Sequence, residues 1–505
     1  MRAGLQVLAT VALIATIFAG ASLAGGPRVV VVSAAHVDMA AHVGRGTTGN
    51  TPTSAVDWIV FGGGSKPADS QVTIESDVKR AAATFGGNGR VYFAGGSRAR
   101  CVQVLQRAKH GDPLLRELGA FFQPRAGRSS RYRQPALKAR ASTAAAVLAD
   151  VRGQLAAPIT DPLFVYAAGH GEIGKTAREN LVALWAGSQV TVGDLAHVLD
   201  RARSKRVVRI VATTCYSGGF GELVFRDATA DRGPARTARC GLFAAPWDLE
   251  STGCDADPDR RLHHGYGAYF LAALRGETRL GAALAPSSID FDGDGEVSLL
   301  EAHTRVRIAS PAADVPTSTS ERWLRHVAPL SGPASPTDLP EEDAVIAALA
   351  AKLGLREPMK EAEAAHKAAQ KANTGASDAI AALQRTEDDA YHAVSAALLG
   401  RWPVLDDPWH PEFAATMKRN RAHIQAFIAG SPLWHRYKLA VKAVDAASNR
   451  RDVVRIRAAL QERLHRAVQN KLLAGRLTAR ADEDWLTWKR LLRCERYVPK
   501  LAPRP

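Results

Sequence analysis

Leu163-Phe-Val-Tyr-Ala-Ala-Gly169-His170-Gly171 and Val207-Val-Arg-Ile-Val-Ala-Thr213-Thr-Cys215-Tyr-Ser-Gly-Gly219 decide how this chain folds. Each opens with a short apolar run that closes on small or turn-forming residues, the pattern of a strand buried on both faces. Between them, Thr191-Val-Gly-Asp194 reads as a helix start, and Leu195, Val198 and Leu199 keep helical spacing. Strand, helix and strand in this order imply neighbouring parallel strands joined by a right-handed crossover. His170 and Cys215, 45 residues apart, then emerge at the same edge of the sheet.

The same texture extends in both directions. Val56-Asp-Trp-Ile-Val-Phe61 runs into Gly62-Gly63-Gly64, and Arg90-Val-Tyr-Phe-Ala94 runs into Gly95-Gly96, giving two more strands with a helix over 77–84 between them. Cys240 to Ala245 reads as a further strand and Tyr266 to Arg275 as a helix. Alternating strands and helices predict an α/β domain over 56–330, a mainly parallel sheet with helices on both faces. Ligands in such sheets gather at the carboxyl ends of the strands. Residues 331–340 are a linker by their Pro, Gly and Ser content. Beyond it, 341–355, 359–372, 377–399 and 453–473 read as helices, with Ser377 as an N-cap just past Gly375, so 341–505 is expected to be a basic all-α domain.

At 505 residues, two or three domains are expected, and 46% hydrophobic content supplies their cores. No apolar run after residue 30 approaches the roughly 18 residues of a membrane span, which excludes a multi-pass membrane protein. Met1-Arg2, the apolar run Leu5 to Phe18 and Ser22-Leu-Ala24 form a signal-peptide pattern over 1–24, followed by an irregular arm over 25–55. The expected location is therefore secreted or periplasmic. Five cysteines (Cys101, Cys215, Cys240, Cys254 and Cys494) leave an odd thiol in an exported chain. Cys240 with Cys254 is the easiest pair to propose, although sequence alone does not decide it.

A cysteine nucleophile needs a base within reach and N–H donors aimed at the developing oxyanion. His170 supplies the base, and Gly171 and Cys215 supply unobstructed backbone amides. His-Gly after one strand and Cys-x-Ser-Gly after the next resembles the caspase, legumain and metacaspase group of cysteine peptidases. The resemblance covers 56–330 and implies a caspase-like fold, a protein or peptide substrate, Cys215 as nucleophile, His170 as general base and acid, and the Gly171 and Cys215 amides as oxyanion hole. There are departures. The acidic residue that legumains and metacaspases carry two positions before the cysteine is Thr213 here, and the Asn that orients the legumain histidine has no counterpart in 62–69. Thr213, Asp248, Glu250 and Ser251 are left as substrate-binding candidates. By the same resemblance, 341–505 holds the chain position of legumain's helical C-terminal cover, which implies an autoinhibitory or docking module cut at 331–340.

Asp290-Phe-Asp292-Gly-Asp294-Gly295-Glu296-Val-Ser298-Leu-Leu-Glu301 fits a 12-residue calcium loop. Carboxylates fall at positions 1, 3, 5 and 12, glycine at 6, the Glu296 carbonyl at 7 and Ser298 at 9. Pro286 argues against a full entering helix, so a single structural calcium clip is expected. His263-His264 lacks a third ligand, Cys101 with His110 falls on what reads as a solvated helix face, and His303 merely flanks the loop. Residues 418–505 carry 21 Lys or Arg against 7 Asp or Glu. That excess suits either an anionic surface or polymer, or simply a solvated helical face. Two function classes remain: an exported calcium-binding cysteine endopeptidase, or an inactive calcium-stabilised peptidase-fold scaffold acting through its basic helices.

Overall fold

Alternate residues of the central strands feed two separate hydrophobic layers, as the two-residue period of a strand requires. Trp58, Val60, Phe164, Tyr166 and Val211 enter one layer, while Ile59, Phe61, Leu163, Val165 and Ile210 enter the other. In the computed structural model, residues 56–107, 111–122 and 128–503 are described; the expected signal peptide, the 25–55 arm and His110 lie outside them. The strands are β1 (Trp58–Gly63), β2 (Gly89–Phe93), the antiparallel pair β3 (Val102–Arg107) and β4 (Arg128–Arg133), β5 (Leu163–Gly169), a small sheet of β6 (Gly171–Glu172), β7 (Leu181–Ala183) and β8 (Gln189–Thr191), then β9 (Val208–Ala212), β10 (Arg239–Phe243) and β11 (Thr317–Ser318).

The main sheet has the order β11-β10-β9-β5-β1-β2, parallel throughout except for β11. Helices α1 (Val72–Thr84), α5 (Tyr266–Ala273) and α6 (Leu299–Ala309) cover the first layer. On the second lie α3 (Ala144–Ala156) and α4 (Val192–Arg201), the latter begun by a capping box between Thr191 and Asp194. The expected mainly parallel sheet flanked by helices is present. The chain builds β2 on one side of β1, then adds β5, β9 and β10 on the other, so strand order reverses between β1 and β5. A crevice opens at such a reversal, beyond the carboxyl ends of the two strands.

The C-terminal region is helical: α7 (Thr319–Val327), α8 (Pro340–Leu353), α9 (Pro358–Arg401), α10 (Phe413–Gly430), α11 (Pro432–Arg480) and α12 (Glu483–Glu495). α9 has 44 residues and α11 has 49, so they are about 65 and 75 Å long at 1.5 Å per residue. They run antiparallel, with His366 stacked on His465 and Tyr391 against Tyr437. The remaining helix, α2 (Pro113–Phe122), rests Phe121 against Tyr391 and Trp434 of this pair. One helix, α9, therefore replaces the two expected over 359–372 and 377–399. Ser377 does not cap; its hydroxyl donates to the Asn373 carbonyl at 3.0 Å inside the continuous helix. Gly375 costs about 1 kcal/mol there, which Ala-rich neighbours and packing along α11 outweigh.

Two further expectations are corrected. Cys101 is fully buried in the extended lead-in to β3, not on a solvated helix face. Cys240 is disulfide-bonded to Cys494 of α12, with Cα atoms 6.0 Å apart, and Cys254 is a free thiol. The reason is the length of β10. Cys240 lies near its start, whereas Cys254 follows its carboxyl end, about 10 Å further along at three residues of strand, and a disulfide tolerates no more than about 7 Å between Cα atoms. Among the described residues no helix is long and apolar enough to cross a membrane.

A candidate thiol and imidazole site at the sheet crevice

Register places the two motifs side by side. Ala167 of β5 pairs with Ala212 of β9, and His170 and Cys215 each follow three residues later. On its other flank β5 ends with Gly169 opposite Gly63 of β1. Gly169 has φ +143°, and a methyl group there would strike the Gly63 carbonyl oxygen, so only glycine closes the strand this way. Gly171 then lies against the carbonyl of Cys215 so closely that any side chain would collide with it. The two motif loops thus meet backbone to backbone.

His170 is half-buried, and its Nε2 lies 2.9 Å from Gln71 Oε1, at the start of α1. The amide oxygen only accepts, so Nε2 carries the proton and Nδ1 keeps its lone pair. Gln71 is invisible from sequence: it lies 99 residues from His170, outside the 62–69 stretch to which the resemblance points for an orienting residue. It stands in as a polar anchor from the same crevice wall.

Cys215 is half-buried and its Sγ is held by Ser251. The thiol donates to the Ser251 carbonyl, and the Ser251 N–H points back at Sγ, both at 3.4 Å. Burial pushes the thiol pKa up, and the carboxylates of Glu250 and Asp314 add to the shift, against the hydrogen bonds from Ser251. Among the described residues no hydrogen bond joins His170 to Cys215. The Cys215 backbone N–H donates to no protein acceptor there either. Thr214 Oγ1, about 3 Å from where a Gly171 Cβ would stand, is a buried hydroxyl without a partner among the described residues. Unspent donors beside a thiol are what an oxyanion needs.

Tyr216, immediately after the cysteine, has φ +58°, a conformation that costs a non-glycine residue about 1 kcal/mol or more. Neighbouring bonds hold it there. Its N–H donates to the Leu249 carbonyl at 2.8 Å, and its own carbonyl accepts from Asn180 Nδ2 at 3.0 Å. Ser217 Oγ accepts from the Ala244 and Ala245 amides, and Gly218 N–H donates to the Ala245 carbonyl. The cysteine loop is therefore fastened to the loop that follows β10.

Of the expected substrate-binding residues, Ser251 meets Cys215 directly. Thr213 is buried, its hydroxyl directed at the Ala167 carbonyl. Glu250 is exposed and accepts from the Tyr216 hydroxyl at 3.3 Å, and Asp248 is exposed. A narrow cleft of about 20 Å³, open to solvent, begins two residues past Gln71 and two past Ser251, at Thr73 and Gly253. Arg80, Arg260 and Arg279 line it, and none of the three forms an ion pair with a carboxylate within 4 Å among the described residues. Asp77, also in the lining, has its carboxyl pKa pushed up to about 7 by burial, with Arg80 opposing.

In the acidic loop, carboxylate oxygens of Asp290, Asp292 and Asp294 converge within 4.8 Å. Asp290 accepts from the Gly293 and Gly295 amides, Asp292 from Asp294 N–H, and Asp294 from Glu296 N–H, so backbone donors fold the loop around the three side chains. Glu301 lies beneath, 1% exposed, accepting from Phe291 N–H and forming a capping box with Ser298 at the start of α6. Hard, clustered oxygens of this kind suit a calcium ion. Glu296 is exposed at the rim.

Three further histidines among the described residues have protein partners: His263 the Asp257 carbonyl, His264 the Tyr269 hydroxyl, and buried His303 the Tyr266 hydroxyl. Part of the C-terminal positive charge is spent internally, as in Arg421–Asp112, Arg466–Glu321 and Arg496–Glu341, while Lys418, Arg419, Arg436 and Lys438 are exposed. No protein-family model and no curated protein matches this chain.

Proposed function

We propose that the protein is an exported cysteine endopeptidase of the caspase and legumain type, with a His170–Cys215 dyad and a calcium-filled loop at 290–301. The observation that carries this reading is the meeting of the two motif loops at Gly171 and Cys215, beside an unspent Cys215 N–H. Gln71 fixes the imidazole so that Nδ1 is the basic nitrogen. In the reaction, Cys215 Sγ adds to the peptide carbonyl as its proton passes to His170, and the oxyanion is held by the Gly171 and Cys215 amides. His170 then returns the proton to the departing amine, leaving a thioester that water hydrolyses. A bound calcium ion would act as a structural clip, held by Asp290, Asp292 and Asp294, with the Glu296 carbonyl, Ser298 and Glu301 completing the loop. The exposed basic residues of the C-terminal helices are the proposed contact with an anionic surface or polymer.

The test is to treat the full-length protein, with and without calcium, with a thiol-reactive peptide electrophile and map the adduct by mass spectrometry. Labelling at Cys215 that disappears in His170→Ala supports the dyad. The scaffold reading has one observation in its favour: Cys215 and His170 are each bonded to another residue, and burial disfavours the thiolate. A reduced Cys215 that never labels would decide for the scaffold.

A further inference from the structure

Arg463, near the middle of α11, is 1% exposed and forms no ion pair with a carboxylate among the described residues. Its guanidinium instead collects backbone carbonyls of one segment. Nε donates to Asp314 O at 2.6 Å, Nη1 to Arg307 O at 3.1 Å and Ser310 O at 2.9 Å, and Nη2 to Ala312 O at 2.6 Å. Four carbonyls held by one planar group fix the path of 307–314. At the end of that path stands Asp314, fully buried. Its carboxylate accepts from Thr252 N–H at 2.7 Å and from the Thr252 hydroxyl at 3.1 Å. Thr252 is the residue after Ser251, whose backbone holds Cys215 Sγ and whose hydroxyl donates to the Thr213 carbonyl at 3.0 Å.

We infer that Asp314 is a positioning residue for Cys215, and that α11 sets its place through Arg463. The inference rests on the reading of Cys215 as a nucleophile. It makes the helical region a part of the site's framework, linked to the thiol through Asp314, Thr252 and Ser251. The charged and titratable groups facing Asp314 are Arg463 and Arg455 of α11 and the thiols of Cys215 and Cys254. Burial pushes the Asp314 carboxyl up to about 6, and the two arginines and the Thr252 donors oppose this. Ionised, it holds both Thr252 donors and disfavours the Cys215 thiolate.

Two measurements on the full-length chain test this: the rate of Cys215 alkylation by iodoacetamide across pH, and peptide turnover. Asp314→Asn is expected to change the alkylation rate about fivefold or more and to lower its pH midpoint, because a nearby negative charge is removed. Its kcat is expected to fall about tenfold, with a smaller change in KM, since loosening Ser251 first misplaces the thiol it holds. Arg463→Met is expected to lower kcat similarly while leaving the midpoint in place. Thr252→Ser, which keeps the hydroxyl, should match the parent, whereas Thr252→Val should follow Asp314→Asn in kcat. If Arg463→Met does not fold, the Thr252 pair decides. Unchanged alkylation in both Asp314→Asn and Thr252→Val would overturn the inference whatever the turnover. A parent with no turnover but a reactive Cys215 that responds to these variants would sink the peptidase reading alone.

Discussion

Gln71 Oε1 stands 2.9 Å from His170 Nε2, joining residues 99 apart across the crevice between β1 and β5. The Gln71 side chain makes no capping bond to α1, and its Nε2 donates only locally, to the Ala68 carbonyl at 3.1 Å, so its removal leaves the helix's own bonds in place. Gln71→Leu is therefore expected to change the parent's melting temperature little. Peptide turnover should fall about 10- to 100-fold as the imidazole loses its fixed tautomer and orientation. Steady-state kinetics beside a thermal melt checks this, and unchanged turnover would remove Gln71 from the site.

Gly171 has no room for a side chain because the Cys215 carbonyl fills the space. Gly171→Ala must push the two motif loops apart, at a cost of about 2 kcal/mol or more. At Gly119, in α2, nothing lies within 4 Å of where a methyl group would stand, so Gly119→Ala serves as the control and is expected to be neutral or slightly stabilising. Denaturant midpoints of the two variants separate close approach from a general intolerance of alanine.

Calcium should raise the melting temperature of the parent and much less that of Asp292→Asn, which keeps an acceptor for Asp294 N–H but loses the charge. With a Kd of about 10⁻³ to 10⁻⁴ M, about 10 mM calcium stabilises the fold by about 1.4 to 2.7 kcal/mol. Equal responses of parent and variant to calcium would place the ion elsewhere.

Glu495 of α12 is 1% exposed and accepts from Ser320 N–H and from the Thr319 and Ser320 hydroxyls. Burial nevertheless pushes its carboxyl up to about 7 from an ordinary 4.5. A raised folded pKa adds stability that is fully present below the ordinary value and is lost as pH rises through about 7. Relative to Glu495→Gln, the parent should therefore be most stable near pH 4.5 and lose that advantage toward about pH 8. Paired thermal melts across this range, in which the other titrating groups cancel, read the difference directly.

What can be read from the chain is local. Apolar runs locate β1, β2, β5, β9 and β10 to within a residue or two, the first three by a closing glycine, because a strand buried on both faces is mostly apolar along its length. Thr191 and Asp194 announce α4 by a bond three residues long. The partners that complete the site lie far apart in sequence: Gln71 for His170, Ser251 for Cys215 and Asp314 for Thr252. Each pairing depends on which strands the sheet sets side by side, and no local periodicity records that. β3 and β4 escape a sequence reading for a related reason. Their strands are polar, Val-Gln-Val-Leu-Gln-Arg and Arg-Ser-Ser-Arg-Tyr-Arg, and carry little of the apolar signal. α9 divides into two helices on sequence because Gly375 looks like a stop, although packing along α11 continues past it.

The bond between Cys240 and Cys494 spans the 331–340 segment from both sides. Were a protease to cut there, the chain would become two polypeptides still covalently joined, running as one band until reductant separates them. Shedding of the helical portion would then require a second, chemically different event. Maturation by a single cut could only loosen the molecule in place, and the redox state of its surroundings would determine whether the two pieces ever part.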